Sequence, residues 1–269
     1  MKKLSLLIVT SFLLFSCEKE YHPIIENKDI PLLKRITVDG ELFMEYTYTE
    51  ERLPKEEKSK FHYTKHCYNN RNLLSTSEFY MDKAIFSSNS AALEQVMNRK
   101  EWVNPGNTEK SLTKIYEYNS NDQLVKTIFD RNSSTDGEYN EYTFENDRIT
   151  RETMFWNGKP SSFIDFFYDS KGNLIREEKY MILDDGTQNL LTSTEYEFDN
   201  KNNPWLAFRR LMKPGKYTNL NNIVKETYTI HFEVSDPAIQ KVQVSTYTYT
   251  YNHRGYPVIV NGEAEYIYE

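Results

Sequence analysis

Phe166-Phe167-Tyr168-Asp169-Ser170-Lys171-Gly172-Asn173-Leu174 decides how this chain reads. Aromatic residues at 166 and 168 close one segment, an acid and a polar, glycine-containing run follow, and Leu174 opens the next. Tyr and Phe suit a pleated, half-buried surface. Asp, Asn and Gly tolerate the positive φ of tight hairpin turns, and an Asx side chain caps the turn's amides. The stretch therefore predicts a strand, a turn and a return strand. The same order recurs. Tyr116-Glu117-Tyr118-Asn119 leads to Leu124, Tyr142-Thr143-Phe144-Glu145 to Ile149, Tyr196-Glu197-Phe198-Asp199 to Pro204, and Tyr249-Thr250-Tyr251-Asn252 to Pro257. Tyr46-Thr47-Tyr48 leading to Leu53, and His66-Cys67-Tyr68-Asn69 leading to Leu73, are weaker copies. The second aromatic returns after about 25 residues, or about twice that, the mark of a repeated supersecondary unit.

Between these turns the period is two, as in Thr246-Tyr247-Thr248-Tyr249-Thr250-Tyr251 and Lys114-Ile115-Tyr116-Glu117-Tyr118. Alternation puts every second side chain on one face, so each strand has an aromatic face and a Thr, Glu or Lys face. The expected fold is all-β. It is an antiparallel meander of repeated hairpins, about fourteen to eighteen strands, curled or closed so that the Tyr and Phe face is covered. One segment breaks the alternation. Ser90 to Lys100 is rich in helix formers, with Ser90 placed to cap the first turn and Arg99 and Lys100 suited to the negative end. Asn104-Pro105-Gly106 stops it. One short helix is expected there, with Leu93, Val96 and Met97 facing the sheet, inside an insert near 87–110 that suits either an end cap or a binding loop.

The first residues carry an address. Met1-Lys2-Lys3 is basic, and the apolar run from Leu4 to Phe15 is too short to span a bilayer as a helix. It fits the apolar core of a secretory signal. Leu13-Leu14-Phe15-Ser16-Cys17 then resembles the lipobox of bacterial lipoproteins, with Leu14 three residues before the cysteine and small Ser16 just before it. That resemblance implies cleavage after residue 16 and acylation of Cys17. Two or three acyl chains make a durable anchor where one is marginal. Glu18-Lys19-Glu20 is similar to the stretch that directs lipoproteins of the Bacteroidota to the outer leaflet of the outer membrane. The expected organisation is a signal peptide at 1–16, an acylated cysteine and tether at 17–31, and a single β-repeat domain at 32–269. Across that domain the hairpin unit resembles the YD repeat of the Rhs family. It also looks like a group of small Bacteroidota lipoproteins of unassigned function. Both imply an antiparallel sheet that coils or closes, and neither brings catalytic residues.

The 269 residues include 15 Phe, 3 Trp and 21 Tyr and carry a formal net charge of −7. So many aromatics argue against disorder. An acidic balance offers no general attraction for nucleic acid, which needs clustered Lys and Arg. Outward-facing Thr, Glu and Lys, and the acid at Glu269, argue against insertion as a transmembrane barrel.

Signals for chemistry are few. His62 and His66, with Cys67 beside them, are the one metal-like cluster. On a strand, residues four apart lie about 13 Å apart, too far to share one ion through bonds of about 2.1 Å. Asp184-Asp185-Gly186 lacks the alternating ligands of a calcium loop and reads as a hairpin turn. No phosphate-binding glycine loop or nucleophile elbow is present, so no enzyme, metal or cofactor is expected. The expected function is a non-enzymatic, lipid-anchored envelope protein that binds a glycan or a protein. A structural accessory subunit is the alternative, and a hydrolase the third reading. Trp102 and Arg99, in the insert, are the expected ligand contacts, both being types favoured at binding hot spots. Trp156 and Trp205, in or beside predicted strands, are expected in the core or on a sheet face.

Overall fold

A computed structural model describes residues 30–86, 90–131, 137–211, 214–234, 236 and 238–269. The expected signal peptide, Cys17 and most of the expected tether lie outside them. Strands β1 (Leu33–Val38), β2 (Glu41–Tyr48), β3 (Pro54–Lys58), β4 (His62–Tyr68) and β5 (Leu74–Asp82) precede the insert. Then follow β6 (Thr108–Tyr118), β7 (Leu124–Asp130), β8 (Tyr139–Glu145), β9 (Arg148–Trp156), β10 (Lys159–Tyr168), β11 (Leu174–Ile182) and β12 (Gln188–Phe198). The rest are β13 (Ile223–Ile230), β14 (Val242–Thr246), β15 (Tyr249–Tyr251), β16 (Pro257–Val260) and β17 (Ala264–Tyr268).

All seventeen belong to one antiparallel sheet. Each strand from β2 to β14 pairs with the one before it, and β15, β16 and β17 join through the pairing of β17 with β1. Among the described residues no ladder joins β14 to β15, so the sheet does not close. Its two terminal strands are instead consecutive in the chain. Tyr247 N–H bonds Val224 O at 2.9 Å, and Thr248 O accepts from Asn261 N–H at 2.9 Å. The sheet thus curls until its two ends meet at one stretch of backbone.

The curl has a local cause. In seven hairpins the register shifts at the second aromatic of the unit, at Tyr48, Tyr68, Tyr118, Phe144, Tyr168, Phe198 and Tyr251. Such bulges bend a strand and increase its twist. At four of them the phenol also latches the preceding strands. Tyr48 donates to Leu33 O, Tyr68 to Pro54 O, Tyr118 to Leu74 O and Tyr168 to Ile149 O, at 2.6–2.9 Å. The turns repeat as well. Asn69 Oδ1 accepts from the N–H groups of Arg71 and Leu73, Asn119 Oδ1 from those of Asn121 and Gln123, and Asn252 Oδ1 from those of Arg254 and Tyr256. The residues that open the return strands, Leu74, Leu124, Ile149 and Leu174, are buried.

Three expectations need correction. Pro204 does not open a strand: it starts a 3-10 helix, Pro204–Leu211, and the return strand begins at Ile223. The intervening segment enters the curled sheet, where Trp205, Leu206, Ala207 and Phe208 form the main core with Ile30, Leu32, Leu33, Ile36 and Tyr46. The interior is therefore filled by this plug, whose apolar run must leave water. The expected helix, α1 (Ser90–Met97), does form, but it buries only Val96. Met97 is 60% exposed and Leu93 is exposed as well, because α1 turns only Val96 inward and lies against the 3-10 turn Lys83–Phe86. Finally, Ile30 is core, so the folded domain begins before residue 32.

Aromatics occupy both faces. Tyr139 stacks on Phe155 at 4.7 Å and Phe163 on Tyr180 at 4.6 Å, on the face opposite Asn140 and Phe166.

Candidate functional site

The inward face is polar along much of its length. Strand register aligns Tyr46 with Glu57, His66 with Ser77, Tyr116 with Thr127 and Asn140, and Tyr142 with Glu152. It also aligns Glu177 with Phe166 and Thr194, and Tyr196 with Glu226. Acids expected on the solvated face are thus drawn inside as well. Burial requires partners for such groups, and most have them. Tyr142 OH donates to Thr127 Oγ1 at 3.0 Å, and Asn140 Nδ2 donates to Glu152.

One chain of bonds has the connectivity of a hydrolytic triad. His66 Nε2 lies 3.0 Å from Glu57 Oε1, His66 Nδ1 lies 2.8 Å from Ser77 Oγ, and Tyr116 OH donates to that same Oγ at 3.2 Å. A nucleophile also needs room for a substrate beside it and donors for an oxyanion. Ser77 is 1% exposed, and its strand is paired on both sides. None of the hollows described below touches Ser77 or His66. The arrangement supports the sheet from within.

The plug is built on asparagines. Asp199 N–H bonds Asn222 O at 3.0 Å, and Asn222 N–H bonds Asp199 Oδ1 at 3.0 Å. Asn203 Nδ2 donates to Lys216 O and Asn219 O at 2.9 and 2.8 Å. Asn173 Oδ1 accepts from Leu220 N–H and Asn221 N–H at 2.8 and 3.2 Å. Phe208 meets the rings of Tyr46, Tyr48, Trp205 and Tyr217 at 4.9–5.9 Å.

Two chambers flank this plug. One, about 520 Å³, lies between it and the wall from β11 to β17, and Glu177, Glu226, Lys216, Tyr196, Trp205 and Asn219 contribute to its lining. Tyr247 and exposed Asn261 stand at its rim. The other, about 410 Å³, is lined by Tyr46, Glu57, His62 and Tyr217, and shares Trp205, Lys216 and Tyr266 with the first. The volumes suit a small ligand, for which sites run from about 300 to 1,000 Å³. Lys216 Nζ sits 3.7 Å from the centre of the Trp205 ring. Burial, with Glu177 and Glu226 adding to it, raises the Tyr196 phenol well above its ordinary value. Burial alone holds Tyr266 up at about 12. These phenols stay neutral and can donate.

One group in the first chamber has no partner. Asn219 is 1% exposed and its Oδ1 accepts from Leu174 N–H at 2.7 Å, yet its Nδ2 bonds nothing. A larger hollow of about 770 Å³ crosses the strand ends from Glu145 to Thr227. Two of its cations pair with neighbouring side chains, Lys225 with Glu197 at 2.7 Å and Arg176 with Glu178 at 3.4 Å.

The residues singled out in the sequence fall elsewhere. Arg99 is engaged beneath the insert, Nη1 on Lys60 O at 2.9 Å and Nη2 on buried Asp82 at 2.8 Å. Trp102 is half-buried beside Val103, whose N–H bonds Ser59 O. Trp205 is core, as expected, whereas Trp156 is 49% exposed because β9 ends there, at the turn into β10. His62 and His66 lie on β4 with separate partners, His62 Nδ1 on Ser59 Oγ at 2.7 Å. Among the described residues no three His, Cys, Asp or Glu side chains are placed to hold a metal ion. Asp184-Asp185-Gly186 forms the turn between β11 and β12, with Asp185 Oδ1 accepting from Thr187 N–H. The chamber residues escaped notice because Glu177, Glu226 and Tyr196 look like any alternating strand. The 53-residue gap between Phe198 and Tyr251, with an apolar run at 205–208, was the signal for the plug.

No protein-family model matches this sequence, and no curated protein matches it. Among solved structures, a porin-like protein from Bacteroides uniformis is 14% identical, covers 80% of this chain and 92% of its own, with a TM-score of 0.37. A porin-like protein from Bacteroides vulgatus is 10% identical over 88% of this chain and 99% of its own, with a TM-score of 0.39. The crystal structure of TcdB2-TccC3 is 12% identical over 83% of this chain and 10% of its own, with a TM-score of 0.31. Scores below 0.5 assign neither a family nor a function.

Proposed function

We propose that this chain is a non-enzymatic, lipid-anchored envelope protein that binds a saccharide in the chamber beside the plug. The lipobox-like stretch ending at Cys17 supports the anchor. The chamber supports the binding. Aromatic rings offer flat faces to the C–H faces of a sugar, and carboxylates, phenols and amides around them can exchange hydrogen bonds with hydroxyls. The observation that carries the reading is the chamber itself, about 520 Å³ and lined by Trp205, Tyr247 and Tyr249 together with Glu177 and Glu226. The site thereby moves from Trp102 to the plug. A glycan array probed with the full chain in detergent micelles is the test. Saturable binding weakened by Tyr247→Ala and unchanged by Trp102→Ala is expected. Absence of saccharide binding would overturn the reading, and so would turnover lost on changing one carboxylate.

A second reading, an accessory subunit of an envelope complex, is favoured by β14. All five of its residues are exposed, and among the described residues its ladder pairs only with β13. A bare strand edge is a template for another chain. A stoichiometric envelope complex formed by the full chain, and lost in Val242→Lys/Val244→Lys, would put this reading first.

A further inference from the structure

We infer that two copies of this chain pair edge to edge through β14, as antiparallel strands related by a twofold axis at Val244. This is independent of the saccharide reading; it takes the edge on which the accessory-subunit reading stands and names a second copy as its occupant. The first argument is where the backbone groups point. Ile230 N–H bonds Lys241 O at 2.8 Å, and Tyr247 N–H bonds Val224 O at 2.9 Å. Residues of an antiparallel ladder alternate, so Lys241, Gln243, Ser245 and Tyr247 direct their N–H and C=O groups to β13. Val242, Val244 and Thr246 turn theirs away, and all three residues are exposed. This free stretch is bounded. Thr248 N–H and O both bond Asn261, at 2.9 Å. Before Lys241 the chain turns at Asp236, whose Oδ1 accepts from Ala238 N–H and whose O accepts from Ile239 N–H.

The second argument is symmetry. Three outward-facing residues with Val244 in the middle make an edge that is its own complement. Antiparallel pairing about Val244 sets it against Val244 of the copy, and Val242 against the copy's Thr246. Every free N–H of either strand then meets a free C=O of the other. Gln243 faces the copy's Ser245, and the pairs on the other face are β-branched, which suits cross-strand contact. The third argument is charge. Edges that stay single are guarded by Lys, Pro or other charges. Val242-Gln243-Val244-Ser245-Thr246 carries none, in a chain of 33 cationic and 40 acidic residues. Lys241, engaged with Glu233 at 3.2 Å, falls opposite the copy's Tyr247, so no charge meets its like across the paired strands.

Sedimentation equilibrium of the full chain in density-matched detergent micelles tests this over a range of protein concentrations. A pairing of five-residue strands is a small interface, so a concentration-dependent equilibrium of monomer and dimer is expected. Val244→Pro removes one outward N–H from each copy and leaves the ladder with β13 intact, and it should weaken the dimer at least about tenfold. Val244→Lys and Val244→Glu should each be monomeric, because like charges then meet on the axis. Mixed together, these two variants should dimerise again, whereas copies that merely share a micelle would be indifferent to residue 244. Val244 is 56% exposed, so all three variants should keep the circular dichroism of the parent. A chain that stays monomeric at every concentration, a dimer that survives Val244→Lys, or a Lys and Glu mixture that stays monomeric would overturn the inference. A monomeric chain whose edge instead takes up an envelope protein would also overturn it and leave the accessory-subunit reading standing.

Discussion

Two turns of the same sheet have the same closing bonds and opposite contents. At the first, Asp169 N–H bonds Asn173 O and Asn173 N–H bonds Asp169 Oδ1, both at 2.9 Å, around a tight loop. At the second, Asp199 makes the same two bonds to Asn222, and the stretch between them sends Trp205, Leu206, Ala207 and Phe208 into the interior. The Asx closure is therefore indifferent to what it encloses. Lengthening a loop about fivefold costs only about 1.5 kcal/mol more in closure entropy. Burying one large apolar side chain returns about 1.5–3 kcal/mol, and the plug buries Trp205, Leu206 and Phe208. A repeat array can thus acquire an interior at one turn without altering its strands.

The sharpest way to break this comparison is Phe208→Ala. Phe208 is 0% exposed and meets four rings. The substitution should cost about 3–5 kcal/mol in urea unfolding, as for large-to-small changes in a packed core. A change below about 0.5 kcal/mol, the scale of surface sites, would mean that the plug is an ornament on the fold.

The two closures can be weighed directly. Asp199 also accepts from Asn222 Nδ2 and Lys201 N–H and takes the Tyr251 hydroxyl, while Asp169 accepts from Asn173 N–H and Nδ2. Asp199→Ala should cost about 2–3 kcal/mol and Asp169→Ala about 1–2 kcal/mol in the same assay. Equal losses would show that the long excursion leans on its closure no more than a tight turn does.

Glycine separates them more finely. Gly172 in the tight turn and Gly215 in the plug both have positive φ, +96° and +84°. Alanine at either should lose about 1–2 kcal/mol from the backbone alone. At Gly172 the new Cβ would meet the movable end of Arg148, whereas at Gly215 it would press on buried Leu174 at 3.0 Å. Gly215→Ala should therefore lower the melting temperature more.

The smallest effect concerns the other insert. Lys100 and Lys60 hold the Glu41 carboxyl at about 2, below its ordinary value of 4.5. A depressed carboxyl stabilises the fold above its unfolded value and ceases to as pH falls through the folded one. Packing around Trp102, followed by fluorescence, should loosen between about pH 4.5 and pH 2. Glu41→Gln should remove that dependence, and the plug should show none of it.

The regular turns were legible in the sequence because their determinants are neighbours. Tyr168, Asp169, Gly172 and Leu174 make a strand end, a cap, a positive φ and a buried return within one stretch. Alternation likewise predicted the strands, and the helix formers at Ser90–Met97 predicted α1. The plug left only an indirect trace, the long gap between Phe198 and Tyr251. Asn200-Lys201-Asn202-Asn203 has the composition of an ordinary turn, and only the distant Asn222 shows that this one does not close at Pro204.

The sequence by itself determined the strands, the turns and the one short helix, since each follows from period, propensity or apolar character over a few residues. Tertiary structure alone decided that Glu177 and Glu226 face a chamber, that Arg99 is spent on Asp82, and that Leu93 and Met97 stay in water. The reason is physical. Alternation sorts residues into two faces but does not say which is inside, and a face becomes interior only when the sheet has curled around a segment far away in the chain.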